Sequence, residues 1–289
     1  MLTKEEFTER VRGGLRLLDG ATGSNLRAAG MPRDCCAEQW VLEHPEPLVA
    51  LQRAYAQAGS QIVYAPTFQA QPLALKAVGL DAHTEKINEA LVNLSRSAAP
   101  GCLIAGDLTT MATVCDSWNP ESFDTMVEAY RRQIRGLIDG GADLLAAETL
   151  MYPQEAEAIL TAAELEGAGA VMYTFTMQSD GSLFSGAEAG PILRELEQAG
   201  AAALGFNCVA ADMMTPYLVS KLRRYVKAPL VCKPNAGIPT IGPDGVARYG
   251  MGPEAFAGVL EKCRENGADI LGGCCGTTPA HIQAVKAGL

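Results

Sequence analysis

Short apolar runs alternate with longer helical patterns along the whole chain, and this alternation restricts the possible folds more than any other feature. Eight of these runs predict strands, at residues 15–19, 61–65, 102–107, 143–148, 170–175, 202–207, 229–233 and 269–273. Many of the runs are continuously apolar, which is typical of parallel strands that are covered on both faces. The alternation therefore predicts an α/β protein built on a parallel sheet.

Seven helical patterns lie between these runs, and several of them begin at a proline or a capping residue and end at a glycine. They span residues 47–58, 85–97, 122–139, 153–166, 187–199, 213–226 and 253–266. The composition does not change along the chain, and no linker interrupts it. Eight βα units in 289 residues predict a (β/α)8 TIM barrel that forms a single domain over residues 1–289. A doubly wound open sheet is the alternative, although it usually has fewer strands or a second domain at this length.

The acidic composition excludes several classes of partner. The net charge is -10 and the pI is about 4.9, whereas nucleic acid and anionic membranes require clustered lysine and arginine. No run approaches the ~20 apolar residues of a membrane span, and the polar first residues do not resemble a signal peptide. The nine cysteines form no small-scaffold disulfide spacing, so we expect a cytoplasmic protein with reduced thiols.

Two adjacent cysteines, Cys274 and Cys275, lie in a glycine-rich turn at the end of the last predicted strand, and Cys208 ends the sixth. The carboxyl ends of barrel strands meet at one mouth, so ligands from different strands can reach one ion. Three thiolates with an open fourth position match a catalytic zinc site, at which a thiol substrate would bind and be alkylated. The alternative is that these cysteines are small buried apolar side chains. Cys35 and Cys36 are also adjacent, but they lie in a predicted loop.

Polar side chains end other predicted strands and are candidates for binding the rest of a substrate. Asp19 could hold an ammonium group. It precedes a glycine-flanked turn whose backbone N–H groups could bind a carboxylate, and the alternative is that this turn has only a structural role. Glu148 ends an apolar run, so its carboxylate requires a cation, either a substrate ammonium or a residue of the fold. Asn235 could bind substrate, act as a weak zinc ligand or form a turn. We expect no catalytic role for the histidines, which are His44, His83 and His281.

Together these segments resemble the homocysteine S-methyltransferase family, and in particular the homocysteine-binding barrel of cobalamin-dependent methionine synthase. The motifs that carry the resemblance are DGATG at 19–23, TF at 67–68, AET at 147–149, GFNC at 205–208, KPNAG at 233–237 and GGCCGTTP at 272–279. The resemblance implies a TIM barrel that binds zinc through the three cysteines of the sixth and eighth strand ends. It also implies that Asp19 and Glu148 bind the amino group of homocysteine. The backbone of Ala21 and Thr22 would bind its carboxylate.

Three segments depart from the family pattern. Ala65-Pro66 stands where the family usually has Thr-Asn, and residues 108–111 replace a Gly-Pro turn. Gln69 stands where betaine-using relatives carry an aromatic residue. These positions line the predicted mouth, so the methyl donor and the exact thiol stay open. We expect any corrinoid to be carried by a separate protein or domain, because the sequence contains no cobalamin-binding or folate-binding segment of its own.

The sequence therefore predicts a zinc-dependent thiol S-methyltransferase. The thiolate of homocysteine would attack a methyl group in line to give methionine, with a methyl-corrinoid supplied by a partner as the donor. S-methylmethionine, S-adenosylmethionine and betaine are alternative donors. Two other hypotheses stay open, namely methyl transfer to or from another thiol or donor in anaerobic one-carbon metabolism, and a zinc-binding corrinoid-partner subunit without turnover of its own. The fourth zinc ligand and the oligomeric state are not predicted.

Overall fold

The computed structural model describes residues 1–243 and 245–289 of the chain. The helices in these ranges are α1 (Lys4–Arg12), α2 (Gly23–Ala28), α3 (Ala37–Glu43), α4 (Glu46–Ala58), α5 (Pro72–Leu75), α6 (Thr84–Ala98), α7 (Phe123–Asp139), α8 (Pro153–Leu165), α9 (Ala189–Gln198), α10 (Thr215–Arg223), α11 (Pro253–Glu265) and α12 (Pro279–Ala287). The strands are β1 (Ile62–Tyr64), β2 (Leu103–Thr109), β3 (Leu144–Leu150), β4 (Val171–Phe175), β5 (Ala203–Ala210), β6 (Leu230–Asn235), β7 (Pro239–Ile241), β8 (Ala247–Tyr249) and β9 (Ile270–Leu271). Among these helices, none is long and apolar enough to cross a membrane.

Seven strands form one parallel sheet in the order β1-β2-β3-β4-β5-β6-β9. The other two described strands, β7 and β8, form a separate antiparallel hairpin. The sheet confirms the predicted α/β class. All seven predicted helices are present within a few residues of their predicted bounds, as α4 and as α6 to α11. The helices that the sequence did not predict are the short α2, α3 and α5 and the amino-terminal helix α1.

The first predicted strand, residues 15–19, lies between the two edge strands of the sheet. Leu17 forms a parallel bridge with Leu271 of β9, and Leu18 N–H donates to Leu271 O at 2.8 Å. On the other side, Gln61 N–H donates to Leu17 O at 2.8 Å, just before β1. This segment therefore hydrogen-bonds to both edges of the seven-stranded sheet. The closed eight-stranded barrel and the single domain over residues 1–289 stay predictions.

Both faces of the strands are buried, as their continuous apolar runs predict. Val63 of β1 belongs to the large cluster between the sheet and the helices, whereas its neighbours Ile62 and Tyr64 belong to a second cluster on the opposite face. Phe7 and Val11 of α1 pack into this second cluster and cover it from the amino-terminal part of the chain. Because the carboxyl ends of parallel strands share one edge, the polar residues that end β2, β3, β5 and β6 are brought to one edge of the sheet.

Candidate metal and substrate site

The three cysteines predicted as metal ligands lie together at the carboxyl edge of the sheet. Cys208 is on β5, and Cys274 and Cys275 lie in the turn after β9. Their sulfur atoms all lie within 4.8 Å of one another. A tetrahedral zinc ion with Zn–S bonds of about 2.3 Å would hold its sulfur ligands about 3.8 Å apart, so the cluster fits zinc. Within residues 1–243 and 245–289, no other group of three cysteines, histidines or carboxylates is gathered in this way.

Cys208 and Thr149 are the non-glycine residues with a left-handed backbone in the described chain, with φ of 54° and 60°. Each lies where the register of its strand shifts, on β5 and β3. Such a backbone costs about 1–3 kcal/mol and persists only where the surroundings determine it. Asn207 supplies this constraint, because its Oδ1 accepts from Thr149 N–H at 2.8 Å and its Nδ2 donates to Thr149 Oγ1 at 2.7 Å. The buried Asn207 amide thus joins the strand end that carries Glu148 to the one that carries Cys208.

The turn that carries Cys274 and Cys275 is held by backbone hydrogen bonds to β6 and the residue after it. Cys274 N–H donates to Pro234 O at 2.7 Å, and Cys275 O accepts from Ala236 N–H at 2.9 Å. Gly276 follows with φ of 80°, and a Cβ there would lie 2.3 Å from a tyrosine side chain of the β7–β8 hairpin. A glycine is therefore required after the cysteine pair, because both the backbone conformation and the space exclude a larger residue.

The three thiols lie close enough to interact, and this separates their pKa values. Hydrogen bonds from Cys208 and then Cys274 lower the pKa of Cys275 to about 3, and the Tyr249 hydroxyl is a further donor to the same sulfur. The hydrogen bonds to Cys274 and Cys275 raise the pKa of Cys208 far above its usual value. A bound cation would favour the thiolate form of all three.

A buried group of charged side chains lies near Cys274 and consists of Asp19, Asp107, Glu148 and Lys233. Glu148 Oε2 pairs with Lys233 Nζ at 2.8 Å, and both side chains are less than a tenth exposed. A residue of the fold, the second of the two partners expected for Glu148, thus supplies one cation to this carboxylate. Burial raises the pKa of Asp19 to about 7, and burial and then Glu148 raise the pKa of Asp107. One lysine faces three carboxyl groups, so ionisation of all three would leave an excess of negative charge, and the raised pKa values show that burial opposes it.

Three buried oxygen atoms in this region have no hydrogen-bond donor among the described residues, namely Asp19 Oδ1, Asp107 Oδ1 and Asn235 Oδ1. The second oxygen of Asp19 accepts from Tyr64 N–H at 2.9 Å, so this carboxylate is held in place with one oxygen unused. An unpaired buried acceptor costs about 1–3 kcal/mol; Asn235 Oδ1 is an acceptor, and the two aspartate oxygens are acceptors when their carboxyl groups are ionised. The site is therefore suited to a ligand that carries several N–H donors.

The predicted carboxylate-binding turn is only partly available. Ala21 N–H donates to Thr277 Oγ1 at 3.0 Å, and Ala21 O accepts from the Tyr55 hydroxyl at 2.8 Å. In this conformation the Ala21 N–H is engaged within the fold, so a substrate carboxylate would have to replace Thr277 Oγ1 as its acceptor. Thr22 is the N-cap of α2, and the first turn of that helix supplies the remaining backbone donors of this motif.

Two weaker candidates from the sequence lie outside the cluster. Cys36 precedes α3, and its thiol donates to the carboxylate of Glu38 at 3.4 Å. Neither Cys35 nor Cys36 lies with the three gathered thiols.

His281, for which no catalytic role was expected, caps α12, where its Nδ1 accepts from Thr278 N–H at 3.2 Å.

Four residues of the site had no assigned role in the sequence: Asn207, Asp107, Lys233 and Tyr249. Asp107 and Asn207 are polar residues at predicted strand ends, and that position was the signal for them. Lys233 follows an apolar run, and a lysine at such a place is rarely buried unless it is paired. Tyr249 lies in the excursion between β6 and α11, where no local pattern points to the site, so only its contacts identify it.

The sequence comparisons point to one family. The family model described as "Homocysteine S-methyltransferase" matches residues 16–289. The Escherichia coli (strain K12) protein named homocysteine S-methyltransferase is 30% identical over 297 residues, which cover 94% of this chain and 94% of that protein. The methionine synthase of Mycobacterium tuberculosis is 28% identical over 290 residues, which cover 93% of this chain but 24% of that protein. The chain thus spans about a quarter of the length of the methionine synthases that it matches.

Solved structures show the same likeness. The metallated form of the homocysteine methyltransferase MmuM from Escherichia coli superposes with a TM-score of 0.83 at 28% identity, over 97% of this chain and 99% of that one. A methyltransferase from Methanosarcina mazei, with a TM-score of 0.63 and 15% identity, covers 100% of this chain and 98% of that one and shows a shared fold. With the family match over nearly the whole length, these comparisons show that the chain belongs to the homocysteine S-methyltransferase family.

Proposed function

We propose that this chain is a zinc-dependent thiol S-methyltransferase that methylates homocysteine to methionine. The observation that carries the proposal is the gathering of three cysteine sulfurs within 4.8 Å of one another, near a buried group of carboxylates. We assign the metal to Cys208, Cys274 and Cys275. Zinc held there would lower the pKa of a substrate thiol, so that a thiolate nucleophile is available at neutral pH.

The carboxylates near the cysteines supply the charge that the ammonium group of an amino acid requires. We assign this ammonium to Asp19 and Glu148, as the sequence predicts, and add Asp107. Asp19 and Asp107 each carry a buried oxygen without a donor, and Asn235 carries a third. An ammonium among them would supply N–H donors and favour the ionised form of both aspartates. We assign the substrate carboxylate to the backbone N–H groups of Ala21 and Thr22, as the resemblance implies, which requires the Ala21 N–H to exchange its bond to Thr277 Oγ1 for one to the substrate.

The reaction that follows from this arrangement is a single displacement. The sulfur of homocysteine forms a bond to the methyl carbon with its own electron pair. The bond between that carbon and the donor breaks, and its electron pair leaves with the donor. The buried carboxylates and the start of α2 hold the amino acid at two points, which orients its sulfur and lowers the cost of assembling two reactants.

We propose a methyl-corrinoid, carried by a partner protein or domain, as the methyl donor. Large apolar side chains lie exposed in segments that follow the strands at the carboxyl edge. They are Trp118 after β2, Phe184 after β4, Met213 after β5 and Ile241 after β6, with exposures between 57% and 94%. Exposed apolar residues around one edge favour the docking of another protein surface over the site. S-methylmethionine, S-adenosylmethionine and betaine are the alternative donors, and they require no such surface.

We also propose that the chain closes into a (β/α)8 barrel and forms a single domain over residues 1–289. The support is segment 16–18, which hydrogen-bonds to β9 on one side and to the start of β1 on the other. An eighth parallel strand between the two edges would make the same contacts. A closed barrel would bring Asp19, at the end of this segment, to the same mouth as the cysteines.

A different thiol acceptor is the second candidate, and one observation favours it. Lys233 already places an ammonium on Glu148, at 2.8 Å, so one of the two carboxylates assigned to the substrate amine has an internal partner. A thiol that carries a carboxylate but no amino group would leave this pair undisturbed. The comparison of homocysteine with 4-mercaptobutanoate, which differs from it only by lacking the amino group, separates the two candidates.

The test combines zinc content with methyl transfer to these two thiols. We expect about one zinc per chain, and loss of methylcobalamin absorbance with homocysteine that exceeds the rate with 4-mercaptobutanoate. Cys208→Ala should lose both zinc and activity, whereas the matched control Cys35→Ala should keep both, because Cys35 lies outside the cluster. A faster reaction with 4-mercaptobutanoate would establish the other thiol. Full zinc and activity in Cys208→Ala would refute the metal assignment.

Two outcomes without methylcobalamin turnover are also informative. If the zinc-loaded chain methylates homocysteine from S-methylmethionine, S-adenosylmethionine or betaine instead, the acceptor stands and the corrinoid donor is wrong. If zinc is tightly held and neither thiol reacts with any donor, the chain is a zinc-binding subunit without turnover of its own. Replacement of zinc by cobalt then shows whether a thiol binds, because a new thiolate ligand changes the visible spectrum.

A further inference from the structure

The backbone ladder between β1 and β2 ends short of Asp107, the buried carboxyl residue near the end of β2. Just after β1, Ala65 N–H still donates to Ala105 O at 2.9 Å. A continued parallel ladder would next bond Asp107 N–H to Ala65 O. Ala65 O instead accepts from Thr67 N–H at 2.8 Å, so the chain turns away from β2 at this point. The backbone groups of Asp107 that face β1 therefore require other partners.

Two buried side chains, Thr67 and Gln133, supply these partners. Thr67 Oγ1 accepts from Asp107 N–H at 3.0 Å and donates to Asp107 O at 2.9 Å. A hydroxyl is both a donor and an acceptor, so one side chain replaces both ladder bonds. Gln133 of α7 joins the two strand ends from the helix side, since its Nε2 donates to Thr67 O at 2.7 Å and to Asp107 O at 3.3 Å.

The carboxyl group of Asp107 depends on this backbone support for its direction. Its Oδ1 is buried and has no hydrogen-bond donor among residues 1–243 and 245–289. The position of the backbone, and not a contact to this oxygen, therefore determines where the oxygen points. The Gln133 amide has no second task in the described chain, because its Oε1 also lies buried without a donor. An amide that is buried at this cost and donates only to these two carbonyls is suited to fixing their positions.

We propose that Gln133 and Thr67 are positioning residues that direct the Asp107 carboxyl at the amino group of the acceptor, and that they set how strongly the site prefers an amino thiol. The proposal rests on the proposed function, because it takes Asp107 as a partner of the homocysteine ammonium. Gln133 acts from α7 through the backbone of two strand ends. A displaced Asp107 carboxyl would weaken the contact to an ammonium, whereas a thiol without an amino group makes no such contact and should bind as before.

Calorimetric titration with homocysteine and with 4-mercaptobutanoate measures this preference without any methyl donor. The sample is the full-length chain with one equivalent of zinc added, and the variant is Gln133→Met, which keeps the length of the side chain and removes the amide. We expect the preference for homocysteine, taken as the ratio of the two dissociation constants, to fall by about 10-fold. Thr67→Val removes the hydroxyl and should lower the preference similarly. Thr67→Ser keeps the hydroxyl and should recover most of the preference that Thr67→Val loses.

Asn88→Leu is the matched control. Asn88 is a buried amide of α6 that also donates to two carbonyls, Ala70 O at 2.7 Å and Thr84 O at 2.8 Å, and its Oδ1 also lacks a donor in the described chain. The control should lower Tm as Gln133→Met does and leave the preference unchanged, because neither carbonyl belongs to a carboxyl residue of the site. A general loss of stability reduces the binding-competent fraction equally for both thiols, so it does not change the ratio.

The outcomes separate the positioning role from the proposed function. An unchanged preference in both Gln133→Met and Thr67→Val would overturn the positioning role, and so would an equal loss of preference in Asn88→Leu. If the unaltered chain binds both thiols equally, the ammonium assignment fails and the positioning role with it. If the unaltered chain binds neither thiol, the thiol acceptor fails as well. The last two results are seen before any variant is made, so the two kinds of failure are distinguishable.

Discussion

Replacement of Lys233 by methionine should destabilise the protein strongly, because it removes the cation of a buried ion pair. Lys233 Nζ lies 2.8 Å from Glu148 Oε2 and 4.6 Å from the centre of the Tyr64 ring, and its side chain is 4% exposed. The removal of one partner of a buried pair costs about 3–5 kcal/mol, since the other charge is left uncompensated. For 289 residues the unfolding entropy is about 0.6 kcal/mol/K, so we expect Tm to fall by about 5–8 °C.

The loss of stability should depend on pH. Burial already raises the pKa of Glu148, and Lys233 is the largest influence that lowers it. Without the lysine, the folded-state pKa of Glu148 rises further above its unfolded value. A carboxyl group whose pKa is higher in the folded state than in the unfolded state stabilises the folded state at pH values below its unfolded-state pKa. This stabilisation is lost as the pH rises towards the folded-state pKa. The Tm deficit of Lys233→Met should therefore be larger at pH 8 than at pH 5.5.

Thermal unfolding of the metal-free, reduced chain at both pH values measures these effects. Lys233→Met combined with Glu148→Gln is the matched control. It should recover a large part of the lost stability, because it also removes the Glu148 charge that Lys233 compensates. Lys86→Met is the surface control, since Lys86 pairs with Glu89 at 2.7 Å but is 79% exposed, and its Tm should not change measurably. A Tm for Lys233→Met within 2 °C of the original, or a deficit independent of pH, would refute the reasoning.

Two further predictions concern Asp19 and Glu155. Because burial raises the pKa of Asp19 to about 7, the fraction of Asp19 in the carboxylate form increases as the pH rises to 7 and above. Homocysteine should therefore bind more tightly at pH 7.5 than at pH 5.5. Calorimetric titration should show a weaker pH dependence of binding in Asp19→Asn. Glu155 is buried and accepts hydrogen bonds from the Met111, Met151 and Tyr152 N–H groups at 2.9–3.1 Å. Glu155→Ala should strand these donors and cost at least about 3 kcal/mol, seen as a Tm lower by about 5 °C, and an unchanged Tm would contradict this.

The sequence predicts which residues lie at strand ends, because the periodicity of the apolar runs defines where each strand stops. Once Cys208, Cys274 and Glu148 were assigned to strand ends, the shared carboxyl edge of a parallel sheet required them to converge. The structure gathers the three cysteine sulfurs as this argument expects. The sequence could not predict which cation pairs with Glu148, since a substrate ammonium and a lysine of the fold would compensate a buried carboxylate equally well.

The sequence by itself determined the α/β class, the positions of the seven main helices and the location of the cysteines at strand ends. These features depend on local patterns, namely apolar periodicity, helix caps and glycine turns. Only the tertiary structure decided that Lys233 pairs with Glu148, that Asn207 binds Thr149 and that Tyr249 packs against Gly276. The paired residues are 27 to 85 positions apart in the chain. Such contacts depend on how strands and loops pack in space, which no local pattern of side chains encodes.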